Sequence, residues 1–366
     1  MANKRIGFLS YFGWGRGQAY VTLCFCKMLQ SFFDIYILKQ FNNPIEDEFK
    51  SVNANITEYP NYEVNPEVFK AWVIENKLDA VIFNEYNQWA KDKIDLVKLT
   101  KSIGVKAYGY LVWEKFGENA DYVDYDRILV PTKSFCKFMR AHKFRKFSYI
   151  PYSIDLQEFP DPTTEPFGKK DNSKLTFFHP GGWGGVYNRK NTDVAIRAFI
   201  EANLPNSELI ITSQKKLDFK NELPKNIKII DKNLSRKELI KLYYMSDLLV
   251  MPTKWDTIGL SILESLAAGV PVIGTNIPPV NEFIKDGFNG KLCNGSMVEY
   301  PDISVYACEV DYKTLANAMK LCSNDILLSI LKKNARKNIE AYYDLEKNKN
   351  VLIGFLNYEL GEETNE

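Results

Sequence analysis

Asp256 and Glu264 stand eight residues apart in Leu248-Leu-Val-Met-Pro-Thr-Lys-Trp-Asp-Thr-Ile-Gly-Leu-Ser-Ile-Leu-Glu-Ser-Leu-Ala-Ala-Gly-Val-Pro-Val-Ile. The stretch reads as a buried strand, a turn, a helix opening near Gly259 and closing at Gly269, and a further strand. Open α/β sheets bind ligands outside the carboxyl ends of their strands, where this turn falls. A helix start there presents N–H groups and a positive dipole end to phosphate. Gly259 lets the backbone come close, and Ser261 adds a hydroxyl. Between Thr257 and Ile273 the only charged residue is Glu264. An ionised carboxylate in so apolar a helix needs a partner. Two partners answer: a basic residue of the neighbouring helix, or the vicinal diol of a ribose. Asp256, in the turn, is an Asx-turn residue or a contact to the rest of a ligand.

A second constellation is Phe178-His-Pro-Gly-Gly-Trp-Gly-Gly-Val-Tyr-Asn-Arg-Lys-Asn-Thr. Four glycines, Gly182 among them, follow a strand, and Arg189 and Lys190 arrive just before a helix. Such a turn allows close backbone approach, and two cations can neutralise a diphosphate. The spacing is neither a Walker loop nor a dinucleotide fingerprint, and no G-x-G-x-x-G follows the first strand, which disfavours a dehydrogenase.

The elements that must hold these residues read as short apolar strands alternating with helices along both halves. This pattern means parallel sheets covered on both faces, the doubly wound α/β class. Length points the same way, since 366 residues suit two domains. Residues 155–173, rich in Pro and polar side chains, read as the linker between them. Ser235 with Glu238 forms a capping-box pattern that starts one helix. The last forty residues have helical periodicity and an acidic tail.

Composition removes several classes. With 47 Lys+Arg against 46 Asp+Glu, the net charge of +1 argues against a nucleic-acid partner. Hydrophobic residues at 45% and charged residues at 25% are ordinary globular values, and no apolar run approaches the ~20 residues of a spanning helix. The N-terminus reads as strand and turn rather than a signal peptide. Six cysteines without a CxxC pair, and only two histidines, disfavour a disulfide framework or structural zinc and suit the cytoplasm.

Taken in order, these motifs resemble retaining glycosyltransferases of family 4 (group 1). The family pattern of an acidic residue, seven residues and a Glu is matched by Asp256 through Glu264, with Asp where Glu is usual. Glu238-Leu-Ile-Lys-Leu-Tyr-Tyr-Met-Ser-Asp-Leu-Leu-Val-Met-Pro-Thr upstream and Gly287-Phe-Asn-Gly downstream also resemble family segments. So do Ile128-Leu-Val-Pro-Thr-Lys-Ser and Ile150-Pro-Tyr-Ser-Ile-Asp-Leu-Gln-Glu-Phe in the first half.

The resemblance implies the GT-B fold, two Rossmann-like domains facing across a cleft. Residues 1–160 would form an acceptor-binding domain, 161–345 a nucleotide-sugar-binding domain, and 346–366 a helix and tail crossing back. It further implies that Glu264 binds the donor ribose, Asp256 faces the donor sugar, and Arg189 and Lys190 hold the diphosphate. The backbone of Ile258, Gly259 and Leu260 would meet the phosphates, with Thr257, Ser261 and Gly182 beside them and Gly15 or Gly17 closing from the first domain. The nucleotide sugar is then a co-substrate, with no cofactor and no obligatory metal. The acceptor would be a glycan, lipid or glycoprotein hydroxyl. The family's usual His after the fourth strand is not evident, and Trp113 or Glu114 stands there.

Asp124-Tyr-Asp126 mimics a metal-binding D-x-D, a triplet common by chance. Residues 133–147 interleave Lys133, Lys137, Arg140, Lys143, Arg145 and Lys146 with Phe135, Phe138, Phe144 and Phe147. Phe135, Phe138, Met139 and His142 share one helical face, which makes a core stripe with a solvated basic side the plain reading. Peripheral contact with an anionic membrane is the sharper one. The rival functions are a nucleotide-sugar epimerase on the same fold and a catalytically silent nucleotide-sugar-binding protein.

Overall fold

The computed structural model describes residues 3–361 apart from 16, 86–95, 116–119, 184–185, 218–221, 302, 304 and 306. It divides into two compact units, Met1–Ser153 with Leu345–Glu366, and Ile154–Asp344.

The first unit is built on seven strands: β1 (Arg5–Ser10), β2 (Asp34–Gln40), β3 (Asn55–Tyr59), β4 (Ala80–Asn84), β5 (Lys106–Tyr110), β6 (Arg127–Val130) and β7 (Phe147–Tyr149). Their order is β3-β2-β1-β4-β5-β6-β7, and every pairing is parallel. Helices α1 (Gly17–Leu29), α2 (Pro66–Glu75), α3 (Leu96–Ser102) and α4 (Lys133–Ala141) make crossovers. Asn65 caps α2 through the N–H groups of Glu67 and Val68, with Pro66 as its first residue, and Thr132 caps α4. The central strands β1 and β4 are almost wholly buried, as apolar runs covered on both faces must be. The C-terminal helix, Leu345–Leu360, belongs to this unit: Phe355 packs on Tyr108 with ring centroids 5.1 Å apart, and Glu359 meets Arg127 at 2.9 Å.

Two strands escape a reading of apolar runs. β3 is a largely exposed edge strand with no buried residue, and β7 is three residues long. In consequence residues 133–147 are not one helix. The helix ends at Ala141 and Phe147 lies in β7. Phe135 and Met139 are buried, Phe138 is half-buried, and His142 is exposed.

The second unit carries β8 (Leu175–Gly182), β9 (Ser207–Ser213), β10 (Ile227–Ile230), β11 (Leu248–Met251), β12 (Val272–Thr275) and β13 (Gly290–Cys293) in the order β10-β9-β8-β11-β12-β13, again all parallel. Helices α5 (Thr192–Ala202), α6 (Arg236–Tyr244), α7 (Leu260–Ala267), α8 (Val280–Phe283), α9 (Tyr312–Cys322), α10 (Asp325–Ala335) and α11 (Lys337–Tyr342) accompany them, and β14 (Ser296–Val298) pairs with β15 (Ala307–Glu309) as a separate antiparallel ribbon. The expected capping box at Ser235 and Glu238 opens α6.

The Pro-rich segment 155–173 is docked on this unit. Phe159 is buried, and Arg336 collects the carbonyls of Phe159 (2.6 Å), Pro160 (3.2 Å) and Ala267 (2.7 Å). Lys170 reaches the buried Asp247 at 2.6 Å. Its polar composition satisfies partners of the unit rather than solvent alone.

Candidate active site

The strand order reverses between β8 and β11, where chain connections leave in opposite directions. Loops at the carboxyl ends part at such a switch point and leave a crevice. Here the loop after β8 carries Arg189 and Lys190 and the loop after β11 carries Asp256. The loops are laced together: the Lys254 N–H donates to the Arg189 carbonyl (2.7 Å), as does the Thr253 hydroxyl (3.1 Å), and the Asn191 amide donates to the Pro252 carbonyl (2.8 Å).

Asp256 is the hub. Its Oδ2 accepts from Arg189 Nη1 at 2.8 Å and Lys190 Nζ at 2.7 Å, while Oδ1 accepts from the N–H groups of Thr257 (3.0 Å) and Gly259 (3.1 Å). Burial opposes ionisation, but Arg189 and Lys190 outweigh it and hold the carboxyl well below the ordinary range. Asp256 is therefore both the Asx-turn residue of its loop and the counter-ion of the basic pair. The described contacts set two cations against this one carboxylate. Arg189 is 33% exposed and Lys190 13%, so neither is sealed from solvent.

The remaining candidates of the second unit line the same end of the sheet. Gly182 closes β8 with φ 65°. The glycines 184–185 lie outside the described residues. Gly259 is the N-cap of α7 with φ 73°, a left-handed conformation that suits a residue without Cβ, and no side chain caps the helix. Thr257 and Ile258 are buried in the turn, and Leu260 and Ser261 form the first turn of α7. The chemistry offered is anion binding by two cations and a helix start.

His179 was not among the candidates, although it is one of only two histidines. It lies wholly buried in β8. Its Nδ1 must donate to the Val250 carbonyl (2.8 Å), so in the neutral ring Nε2 accepts from the Thr192 hydroxyl (2.9 Å). Burial pushes its pKa down to about 4, and the nearby charge of Lys190 adds to this. The ring ties β8 to β11 and to the first residue of α5, behind the basic pair.

Glu264, further along α7, has partners of its own. One carboxylate oxygen is paired with Arg236, the first residue of α6, and the other accepts from the Tyr243 hydroxyl at 2.9 Å. Arg236 also meets Glu158 at 3.0 Å and lies over the Phe159 ring, 5.4 Å from its centroid. The basic residue of the neighbouring helix is thus real. A carboxylate has about four lone-pair sites, so two engaged donors still leave capacity for a diol. Arg236 and Tyr243 were missed by sequence reasoning; the capping box that starts α6 was the signal adjacent to Arg236.

In the first unit, Gly17 opens α1. The Gly15 N–H donates to Glu46 Oε1 at 3.3 Å, and a Cβ on Gly15 would stand 3.3 Å from Glu46 Oε2. The close approach observed at Gly15 is therefore to this carboxylate. Trp113 packs on Phe135 and Phe138 with centroids 5.8 and 5.7 Å away. Of the D-x-D pair, Asp126 accepts from the Ala107 N–H at 2.8 Å and Asp124 meets Lys98 at 3.2 Å. These are structural contacts, and among the described residues no group of three or more His, Cys, Asp or Glu is arranged to hold a metal.

Residues 183–304 match the sequence profile of the family described as glycosyl transferases group 1. Over 217 residues the chain is 29% identical to the UDP-Gal:alpha-D-GlcNAc-diphosphoundecaprenol alpha-1,3-galactosyltransferase of Escherichia coli, covering 55% of this chain and 51% of that protein. The chain thus spans about half the length of this curated relative. Among solved structures, sucrose-phosphate synthase from Thermosynechococcus elongatus aligns over 99% of this chain and 100% of its own, with a TM-score of 0.73 at 16% identity. HepE of Anabaena, solved with UDP and glucose, aligns over 97% of this chain and 99% of its own, with a TM-score of 0.71 at 13% identity. The fold is GT-B.

Proposed function

We propose, from the match of residues 183–304 to the group 1 glycosyl transferase family, that the protein moves a sugar from a nucleotide-diphosphate donor to a hydroxyl of a glycan, lipid or glycoprotein acceptor. The observation that carries this reading is the basic pair Arg189 and Lys190, laced by Asp256 to the uncapped start of α7 at the switch point of the sheet. As the donor's C–O bond lengthens, negative charge grows on the departing diphosphate and positive charge on the anomeric carbon. Fixed cations and a helix terminus stabilise the leaving group in the transition state more than in the bound donor, which is what accelerates transfer. Those two cations supply positive charge at the leaving group, so this reading calls for no metal. Retention of anomeric configuration follows the family resemblance. Glu264, with lone pairs left beside Arg236 and Tyr243, would take the ribose diol.

A UDP-sugar is the first donor to test, since the Escherichia coli relative is named for UDP-Gal and HepE was solved with UDP. Thermal-shift measurements with UDP-, GDP- and ADP-sugars, followed by donor turnover with and without acceptors, test the reading. Stabilisation by one donor class and acceptor-dependent turnover are expected. Lys190→Ala should abolish most transfer with the fold intact, and wild-type turnover in that variant would refute the site. Donor conversion to an isomer without acceptor would instead favour an epimerase.

Peripheral membrane contact is part of the same proposal. No Asp or Glu occurs between residues 127 and 154, and Lys137, Arg140, Lys143, Arg145 and Lys146 are exposed. Each such cation near an anionic leaflet contributes about 1 kcal/mol. Sedimentation with phosphatidylglycerol vesicles should be salt-sensitive and should fail with phosphatidylcholine; equal binding to both lipids would refute it.

A further inference from the structure

At the carboxyl edge of the first unit's sheet three aromatic rings meet. Tyr11 directly follows β1, Phe41 directly follows β2, and Tyr62 lies three residues beyond β3. Tyr11 and Phe41 have centroids 5.2 Å apart with planes 9° from parallel; Tyr11 and Tyr62 are 5.6 Å apart at 10°; Phe41 and Tyr62 are 6.3 Å apart at 18°. All three pairs are near-parallel and stacked, and Tyr11 stands closest to the other two. All three remain half-buried rather than sealed in the core.

The stack is held at a cost. Phe41 has φ 65°, a left-handed backbone that is strained for a residue with a Cβ. Its carbonyl accepts from Lys39 Nζ at 2.7 Å, and the Lys39 side chain is 0% exposed. The Tyr62 carbonyl accepts from the side chain of Gln40, also buried. Two consecutive buried polar side chains at the end of β2 therefore each clamp the backbone of one ring-bearing residue. Beside the stack, Glu85 directly follows β4 with φ 54°. β4 pairs with β1 with Leu9 opposite Phe83, so Glu85 emerges beside Tyr11 two residues past that pair, and its charge, after burial, contributes to raising the Tyr62 hydroxyl above its ordinary range.

The surroundings select the ligand. An electron-rich aromatic face attracts partially positive C–H groups, and carboxylates accept from hydroxyls. A pyranose ring offers both, with C–H groups on its faces and hydroxyls around its edge.

We propose that the stacked, half-buried rings of Tyr11, Phe41 and Tyr62 form a stacking subsite for one neutral pyranose ring, whose hydroxyls reach Glu85. That this ring belongs to the acceptor rests on the transferase reading; the subsite itself does not.

The test uses the full chain with methyl β-D-galactopyranoside, methyl β-D-glucopyranoside and methyl 2-acetamido-2-deoxy-β-D-glucopyranoside, observed by saturation-transfer NMR. At least one glycoside should receive saturation concentrated on the C–H protons of one ring face. Phe41→Leu and Tyr62→Leu keep apolar volume but remove the aromatic face, and each should weaken that binding at least tenfold. The thermal shift given by UDP, whose site lies in the second unit, should be unchanged in both variants and certifies folding. Absence of saturation for all three glycosides, or undiminished binding in both leucine variants, overturns the subsite. Glycoside binding without any UDP response leaves the subsite standing and sinks the donor reading instead.

Discussion

Replacing Asp256 by Asn preserves the size of the side chain and one carbonyl oxygen for the Thr257 and Gly259 N–H groups. It deletes the charge that Arg189 and Lys190 share. Removing one partner of a buried ion pair costs about 3–5 kcal/mol. Arg189 is a third exposed and Lys190 retains some access, so both cations recover hydration and the loss should fall to about 2–3 kcal/mol. The ligand should respond in the opposite sense. Unit charges about 6 Å apart interact by roughly 3 kcal/mol at an effective dielectric of about 20. Solvent screening in an open crevice reduces this to about 1–2 kcal/mol, which corresponds to roughly tenfold tighter binding of a bare anion. Inorganic pyrophosphate, which has neither base nor sugar, isolates this term. Urea unfolding should therefore show a lowered midpoint and calorimetry a tighter pyrophosphate, while sugar transfer falls because the cations are no longer aimed. Stability within about 0.5 kcal/mol of wild type, together with unaltered pyrophosphate affinity, would show that the three side chains do not form the anion site.

Three further outcomes are expected. Glu264→Gln should cost about 2–3 kcal/mol in urea unfolding, at the low end for a buried pair because Arg236 keeps Glu158; it should also weaken UDP about tenfold while sparing pyrophosphate, which lacks a ribose. His179 is held neutral with a pKa near 4 against about 6.5 when unfolded, so the unfolded chain binds the extra proton. Its share of stability should be intact above pH ~6.5 and fall by about 3 kcal/mol as pH drops to 4, a slope that His179→Gln should flatten in unfolding curves across that range. Gly259→Ala places a Cβ at φ 73° and 3.4 Å from Ile262 Cδ1; about 1–2 kcal/mol of stability should be lost in thermal melts, with weaker UDP binding as the start of α7 shifts.

Much of the site was legible because its parts are local. A glycine turn after an apolar strand, a basic pair before a helix and an acid in a strand-to-helix turn each follow from residues close in the chain. What could not be read was pairing. Arg236 and Glu264 lie 28 residues apart and meet only because α6 and α7 adjoin, and nothing in either segment names the other. Likewise Glu46, 31 residues after Gly15, folds back to accept from its N–H, a pairing that no local pattern announces. β3 was invisible because an edge strand with exposed polar side chains has no apolar signature.

By itself, the sequence determined the class of fold, since apolar strands alternating with helices can bury themselves only in covered parallel sheets. It also settled which residue types could bind an anion. Tertiary structure decided which of them act together. The strand order sets β8 beside β11, so Lys190 and Asp256, 66 residues apart, become ion-pair partners. Likewise, Tyr11, Phe41 and Tyr62 stack on one another because β1, β2 and β3 end at the same edge of a sheet. Local chemistry is written in neighbouring residues, but contact across a sheet depends on strand order, which no short stretch of sequence contains.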